Sequence, residues 1–385
     1  MASVSTSSPP PGGHWNLDAK TAAPLLALLL CLDLWAMAST DPDFYLPDVF
    51  RPGAVALIGL FVASGFIRRA RLRVGLRVLA SVVVVAVLLL EANARYRDVG
   101  EGRRIMATRD VLLRYQYRPG AEVVADRAAG QQMRINHLGL WDREYAIPKP
   151  PDVYRVVVLT GSIANDGAIP FDDRFHEVLE RSLQGAAGGR RVEVINVSCE
   201  GYNTVQQVRL LERVGLQYQP DFVVLAYMLT SASLQNGAYR RVGNSFFLFR
   251  FLPLFQGAAT GSMCSLFRPF HEGYSFELIV RNSFERLALL RRQHGFHALV
   301  AVLPVLEDFN DPLCNRIYDR VGRAARESGL ETVRVVDAFR GETVQRFAKP
   351  GERMDLCHPN VEGHRRIAAT LDAAVRRALG AQNSE

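Results

Sequence analysis

Two short stretches near opposite ends of the chain hold residue types that can do chemistry together. One is Leu159-Thr160-Gly161-Ser162, a Gly-Ser turn closing an apolar run; the other is Asp355-Leu356-Cys357-His358-Pro359-Asn360. A serine hydroxyl is a weak nucleophile until an adjacent base takes its proton. Histidine suits that task because its unperturbed pKa lies near neutrality. A carboxylate that fixes the ring tautomer and stabilises the imidazolium completes the set. Asp355 and His358 stand three apart in a turn, ahead of a helix that Asn360 should cap. That spacing lets the aspartate reach the near ring nitrogen while the far one faces outward. Each stretch alone is common and mostly structural. Their joint occurrence, at the first strand and before the last helix of one pattern, is far more specific.

The elements that must position them follow an alternating rhythm. Tyr154–Thr160 is nearly unbroken apolar sequence and reads as a buried parallel strand. In open α/β sheets, ligands bind outside the carboxyl ends of such strands. Further strands are expected at Val192–Val197, Phe222–Met228, His297–Leu303 and Thr332–Val336. Helices are expected at Phe171–Leu183, Thr204–Val214, Ser275–His294, Pro312–Ser328 and Val361–Leu379. Strands separated by helices imply a parallel sheet covered on both faces. The segment 231–273 breaks the rhythm and is rich in phenylalanine, including Phe246, Phe247, Phe267 and Phe270. It reads equally as a lid or as a helical hairpin that completes the core.

Four blocks together resemble the SGNH (GDSL-like) hydrolase family, over roughly Arg134 to Leu379. They are Val158-Leu159-Thr160-Gly161-Ser162, Ile195-Asn196-Val197-Ser198-Cys199-Glu200-Gly201-Tyr202, Pro220-Asp221-Phe222-Val223-Val224-Leu225, and Asp355 through His364. The stretch Asn136–Asp142 also resembles a strap seen in many members. The resemblance implies a flavodoxin-like three-layer sandwich with a parallel five-stranded sheet, bearing an esterase or acyl-transferase site without metal or cofactor. Ser162 matches the nucleophile, His358 the base, Asp355 its orienting acid, and Gly201 a glycine whose backbone N–H lines the oxyanion hole. Two positions depart from the family pattern. The usual Gly-Asp-Ser is Thr160-Gly161-Ser162 here, and an ungapped count from Asp221 puts Thr230 where the family has its oxyanion asparagine. Thr230 must substitute, or Ser231, Asn236 or Asn165 must, or the site is slow or inactive.

Upstream, the chain changes character. Residues 1–21 open with a Ser, Pro and Gly-rich stretch expected to be disordered. Apolar runs at 22–38, 54–67 and 74–90 suggest about three transmembrane helices within 22–91. The run from Val82 to Leu90 has no polar face, unlike an amphipathic core helix. Arg68, Arg69, Arg71, Arg73 and Arg77 crowd the second link, whereas the first carries Asp41, Asp43 and Asp48 against Arg51. The positive-inside rule then puts the second link and the N-terminus in the cytoplasm, and everything after Glu91 outside. Asp33 reads as a carboxylate reaching the outer interface. Residues 92–151 form a connector whose prolines suggest an extended strap, and 152–385 the hydrolase-like domain.

Composition excludes other classes. The net charge of +7 comes almost wholly from arginine, with Lys20, Lys149 and Lys349 the only lysines. The arginines are scattered and do not interleave with aromatics, which argues against nucleic acid. Cys31, Cys199, Cys264, Cys314 and Cys357 form no CxxC pair, which argues against a zinc or redox motif. The last four can pair in an oxidising compartment, with connectivity open. His364 should pack or cap, and Asp337 should hold a local turn. The expected protein is an inner-membrane-anchored serine esterase or O-acyltransferase with its catalytic domain in the periplasm. Its substrate would be an acylated envelope glycan or lipid, and its candidate partners envelope-assembly proteins. The alternative is a weak or inactive domain of the same type that binds glycan or scaffolds an assembly.

Overall fold

Buried apolar runs become the strands of one parallel sheet. The computed structural model describes residues 105–232 (109 excepted), 262–349 and 355–382, with a few helical positions between 71 and 82, all within one unit, Leu57–Glu385. Strand β5 (Val153–Leu159) is buried at all seven positions, as is β7 (Phe222–Tyr227) at all six. β6 (Arg191–Asn196), β8 (His297–Val302) and the half-buried edge strand β9 (Glu331–Arg334) complete the sheet. Its order is β6-β5-β7-β8-β9, every neighbouring pair parallel. Counted within the sheet this is 2-1-3-4-5, the flavodoxin-like order, whose crevice opens at the switch point between the first and third strands. Register places Val158 beside both Asn196 and Val224, so the carboxyl ends of β5, β6 and β7 lie along one edge of the sheet.

Helices cover the sheet. α1 (Phe175–Leu183) packs against α6 (Val361–Gln382), while α2 (Thr204–Arg213), α4 (Asn282–His294) and α5 (Pro312–Glu327) pack in series. α2 starts with a reciprocal capping box between Asn203 and Gln206. The expected helix from Phe171 begins later. Phe171–Asp173 is a separate short turn, and Arg174, extended at ψ 146°, precedes α1. Arg174 is fully buried, donates to the carbonyl of Ala125 at 2.9 Å, and stacks on Trp141 at 4.8 Å, so tertiary contacts override the helical rhythm there. A π-helical turn, Phe276–Arg281, leads into α4.

The connector region holds more structure than an extended strap. β1 (Ile105–Ala107) pairs with β2 (Tyr115–Tyr117), and β3 (Glu122–Asp126) with β4 (Gln131–Arg134), as two antiparallel hairpins. Leu113, Tyr117, Val123, Ile135, Leu140 and Trp141 join the same apolar core as the sheet. The stretch from Asn136 then protects the edge strand β6. Asp142 accepts the backbone N–H of Asn196 at 2.6 Å, and Glu180 accepts that of Val194 at 2.8 Å. Filling these edge groups removes a template for strand addition.

Of the aromatic-rich segment, 233–261 lies outside the described residues. Its end forms α3 (Met263–Glu272), which buries Phe267 and Phe270. A disulfide joins Cys264 of α3 to Cys314 of α5. Among the described residues no helix is long and apolar enough to cross a membrane. The stretches 22–38 and 54–67 lie outside those residues, as does 74–90 except for positions 74, 75, 78 and 82. Those positions are helical, and Val74, Val78 and Val82 are more than half exposed.

Candidate active site

Three loops leave the sheet at its carboxyl edge and meet the turn ahead of α6. Ser162 opens a 3-10 turn, Ser162–Asn165, directly after β5. Its Oγ lies 2.6 Å from His358 Nε2. On the far side of the ring, His358 Nδ1 lies 2.8 and 3.0 Å from the two carboxylate oxygens of Asp355. The backbone N–H groups of Cys357 and His358 also donate to Asp355, at 3.0 and 3.1 Å. Burial alone would raise the Asp355 carboxyl. Its bonds to His358 and Cys357 and the charge of Lys349 outweigh that and hold it at about 2. A carboxylate that stays ionised keeps the proton on Nδ1, leaving Nε2 as acceptor for the serine hydroxyl.

The supporting contacts explain why the turn sits there. Asn360 caps α6 by accepting the N–H of Gly363 at 3.1 Å. Its amide also donates to the carbonyls of Arg346 and Ala348, tying the preceding loop to the helix start. Leu306, just beyond β8, donates to the carbonyl of Leu356 at 2.8 Å. His364 is fully buried, stacks on Phe175, and accepts the Phe175 N–H at 3.1 Å, so it both packs and caps. Burial pushes its imidazole down to about 3. Asp337 pairs with Arg334 and Arg340 within its own turn.

Sequence reasoning missed Lys349. It bridges Asp166 and Asp355, the latter at 3.6 Å, with its side chain only 10% exposed. One largely buried cation thereby offsets two carboxylates beside the imidazole. Burial would raise Asp166, but its bonds from Lys349 and the Ala168 N–H lower it. The signal was available: Lys349 is one of three lysines in a chain that otherwise uses arginine.

The oxyanion candidates separate by geometry. Gly201 and Thr230 line the same cleft as Ser162 and His358. Gly201 adopts φ +75°, the left-handed conformation that glycine tolerates without strain. Asn165 also borders the cleft, but its amide donates to Tyr117 at 3.2 Å and Ser198 at 3.1 Å, and its carbonyl accepts from Asn196 at 2.8 Å. Both amide hydrogens are committed to a buried network that locks the serine loop to β6. Ser231 is buried, and its hydroxyl lies 3.4 Å from the Gln207 amide. Asn236 lies outside the described residues.

The cleft measures about 1300 Å³. One wall of it comes from the hairpin segment, through Arg118 to Val124 and Arg127. Tyr117 fastens that wall: its hydroxyl meets Asn165 and accepts the N–H of Glu200 at 3.2 Å. Cys199 and Cys357 are both free thiols. Burial pushes Cys357 up to about 12 and Cys199 well above its ordinary value, so neither is a thiolate nucleophile.

Two clusters among the described residues have metal-ligand spacing, Cys264–Glu307–Cys314 and Asp142–His176–Glu177. The first spends its sulfurs on the disulfide. In the second, Asp142 is committed to backbone N–H groups and Glu177 to Arg143. Neither borders the cleft.

No family model matches the chain, and no curated protein matches it. Solved structures similar to it include TesA, at 14% identity over 58% of this chain and 98% of that one, with a TM-score of 0.37. The psychrotrophic esterase EstA from Pseudoalteromonas sp. is similar at 11% identity over 59% and 98%, TM-score 0.37. Axe2, an acetylxylan esterase from Geobacillus stearothermophilus, is similar at 15% identity over 59% and 94%, TM-score 0.38.

Proposed function

We propose that the protein is a serine ester hydrolase or O-acyltransferase. The observation that carries this reading is the continuous hydrogen-bonded chain from Ser162 Oγ through His358 to Asp355, opening on a cleft. His358 Nε2 takes the Ser162 proton as Oγ attacks an ester carbonyl, then gives it to the leaving alcohol oxygen. The resulting acyl-enzyme is released when water or a hydroxyl acceptor attacks: His358 accepts the attacker's proton and passes it to Ser162 Oγ as the acyl–Oγ bond breaks. Asp355 holds Nδ1–H and remains ionised. The Gly201 N–H and the Thr230 hydroxyl stabilise the oxyanion. The substrate is an acylated glycan or lipid of the cell envelope, and no cofactor enters any step.

We place the catalytic domain outside the cytoplasmic membrane, on spans 22–38, 54–67 and 74–90. The arginine-rich link supports that orientation, and the Cys264–Cys314 disulfide suits an oxidising compartment. A fluorophosphonate probe should label the full-length chain and leave Ser162→Ala unlabelled. Equal labelling of both, or of neither, would remove the enzyme reading and leave a glycan-binding domain. A reporter fused after Ala94 should be active only outside the cytoplasm.

A further inference from the structure

The loop that carries Gly201 contains a turn whose direction its own residues leave open. Tyr202 donates its N–H to the carbonyl of Cys199 at 3.3 Å, closing a four-residue turn with Glu200 and Gly201 at its centre. Gly201, at φ +75°, gives it the type II form. Type I differs by turning over the central peptide, here Glu200–Gly201, and glycine tolerates either form. That peptide supplies the Gly201 N–H, so the form of the turn decides where this donor points.

Strand β2 settles the choice from outside the loop. Tyr115 and Tyr117 lie two apart, so both side chains leave the same face of the strand. Tyr115 donates its hydroxyl to the carbonyl of Glu200 at 2.8 Å. Tyr117 accepts the Glu200 N–H at 3.2 Å and the Asn165 amide at 3.2 Å. Tyr202 in turn donates its hydroxyl to the carbonyl of Tyr115, and the two rings meet edge-on at 5.3 Å. In a trans peptide the N–H points opposite to the C=O. Holding the Glu200 carbonyl toward β2 therefore aims the Gly201 N–H away from it. Gly201 lines the cleft, whereas neither Tyr115 nor Tyr117 borders it.

Building on the esterase reading, we propose that Tyr115 is a positioning residue of the oxyanion site. Its hydroxyl holds the Glu200–Gly201 peptide in the orientation that presents the Gly201 N–H to the substrate carbonyl. Tyr117 holds the other side of Glu200 and registers the turn to the Ser162 loop. The hairpin ahead of the α/β sheet is then part of the catalytic apparatus, although no residue of β2 touches the reacting atoms.

The test follows turnover of p-nitrophenyl acetate by the full-length chain. Tyr115→Phe keeps the ring and deletes the hydroxyl. Its kcat should fall about fivefold at nearly constant KM, the shift that one ordinary hydrogen bond sustains in the turn equilibrium. That is well short of the 10²–10³ that losing an oxyanion donor outright costs. Gly201→Ala disfavours the positive φ and should also slow turnover. Because both changes act on one peptide, the double variant Tyr115→Phe/Gly201→Ala should lose less than the product of the two single losses. Gln116→Leu removes an anchor on the other face of β2, where the Gln116 amide meets the Leu138 carbonyl at 2.6 Å, and should keep the parent kcat. A parental kcat in Tyr115→Phe, strictly multiplicative losses, or an equal fall in Gln116→Leu would overturn the inference while leaving the esterase reading standing. Turnover by Ser162→Ala at the parent rate would defeat the esterase reading, and the role of Tyr115 with it.

Discussion

On the proposed reading, the Thr230 hydroxyl is the side-chain donor of the oxyanion site. Acyl transfer builds negative charge on the carbonyl oxygen, and Thr230 borders the cleft where the family pattern has an amide. Thr230→Val keeps the shape and deletes one donor. Turnover should fall on the order of 10²-fold, the usual cost of one oxyanion donor, with little change in melting temperature. A Thr230→Val enzyme as fast as the parent would move the role to Ser231 or to backbone N–H groups alone. The residues of the hydrogen-bonded chain were legible because the chemistry needs particular types at particular points of an α/β pattern. Ser162 follows the first strand, and His358 precedes the last helix with Asp355 three residues back. Lys349 and Tyr117 were not legible in the same way, and Asn165, a candidate oxyanion donor in the sequence, proves committed to a buried network. Their roles depend on which loops face each other in space, and no local spacing encodes a contact such as Asn165 to Tyr117.

Between elements, the decisive joint is that of α1 with α6. His364, in the first turn of α6, accepts the N–H that opens α1. That bond needs a neutral ring, and burial holds the imidazole at about 3. The unfolded chain takes a proton near pH 6.5 that the folded chain refuses. The stability linked to this histidine is therefore fully present above about pH 6.5 and drains away as pH falls toward 3. His364→Gln can still accept the N–H and cannot titrate. It should lose less melting temperature than the parent between pH 6.5 and 4, whatever its stability at pH 7.5. Buried runs such as β5 and β7 were readable almost to the residue, since burial on both faces forces continuous apolar sequence. Arg174 defeated the helical reading because a buried guanidinium stacked on Trp141 sets its backbone, and periodicity carries no trace of that. The hairpins β1–β2 and β3–β4 escaped for the opposite reason: strands of three to five residues are too short to show a period.

Across the whole molecule, one covalent link stands out. Cys264–Cys314 closes a loop of 50 residues around β8. Chain-entropy reasoning gives such a crosslink about 4 kcal/mol. The variant Cys264→Ser/Cys314→Ser should melt markedly lower, as should the reduced parent, and denaturant titration checks the size of the loss. A loss under about 1 kcal/mol would mean that helix packing alone positions α3. The two halves of the site also come from distant parts of the chain, with the sheet spanning the interval.

That distance has a consequence for how the protein is made. Ser162 and His358 lie 196 residues apart, and the histidine sits in the turn just ahead of α6. During synthesis the serine emerges early, without its base, and stays chemically silent. On the proposed reading, the serine and its base come together only when the turn ahead of α6 docks against the sheet loops.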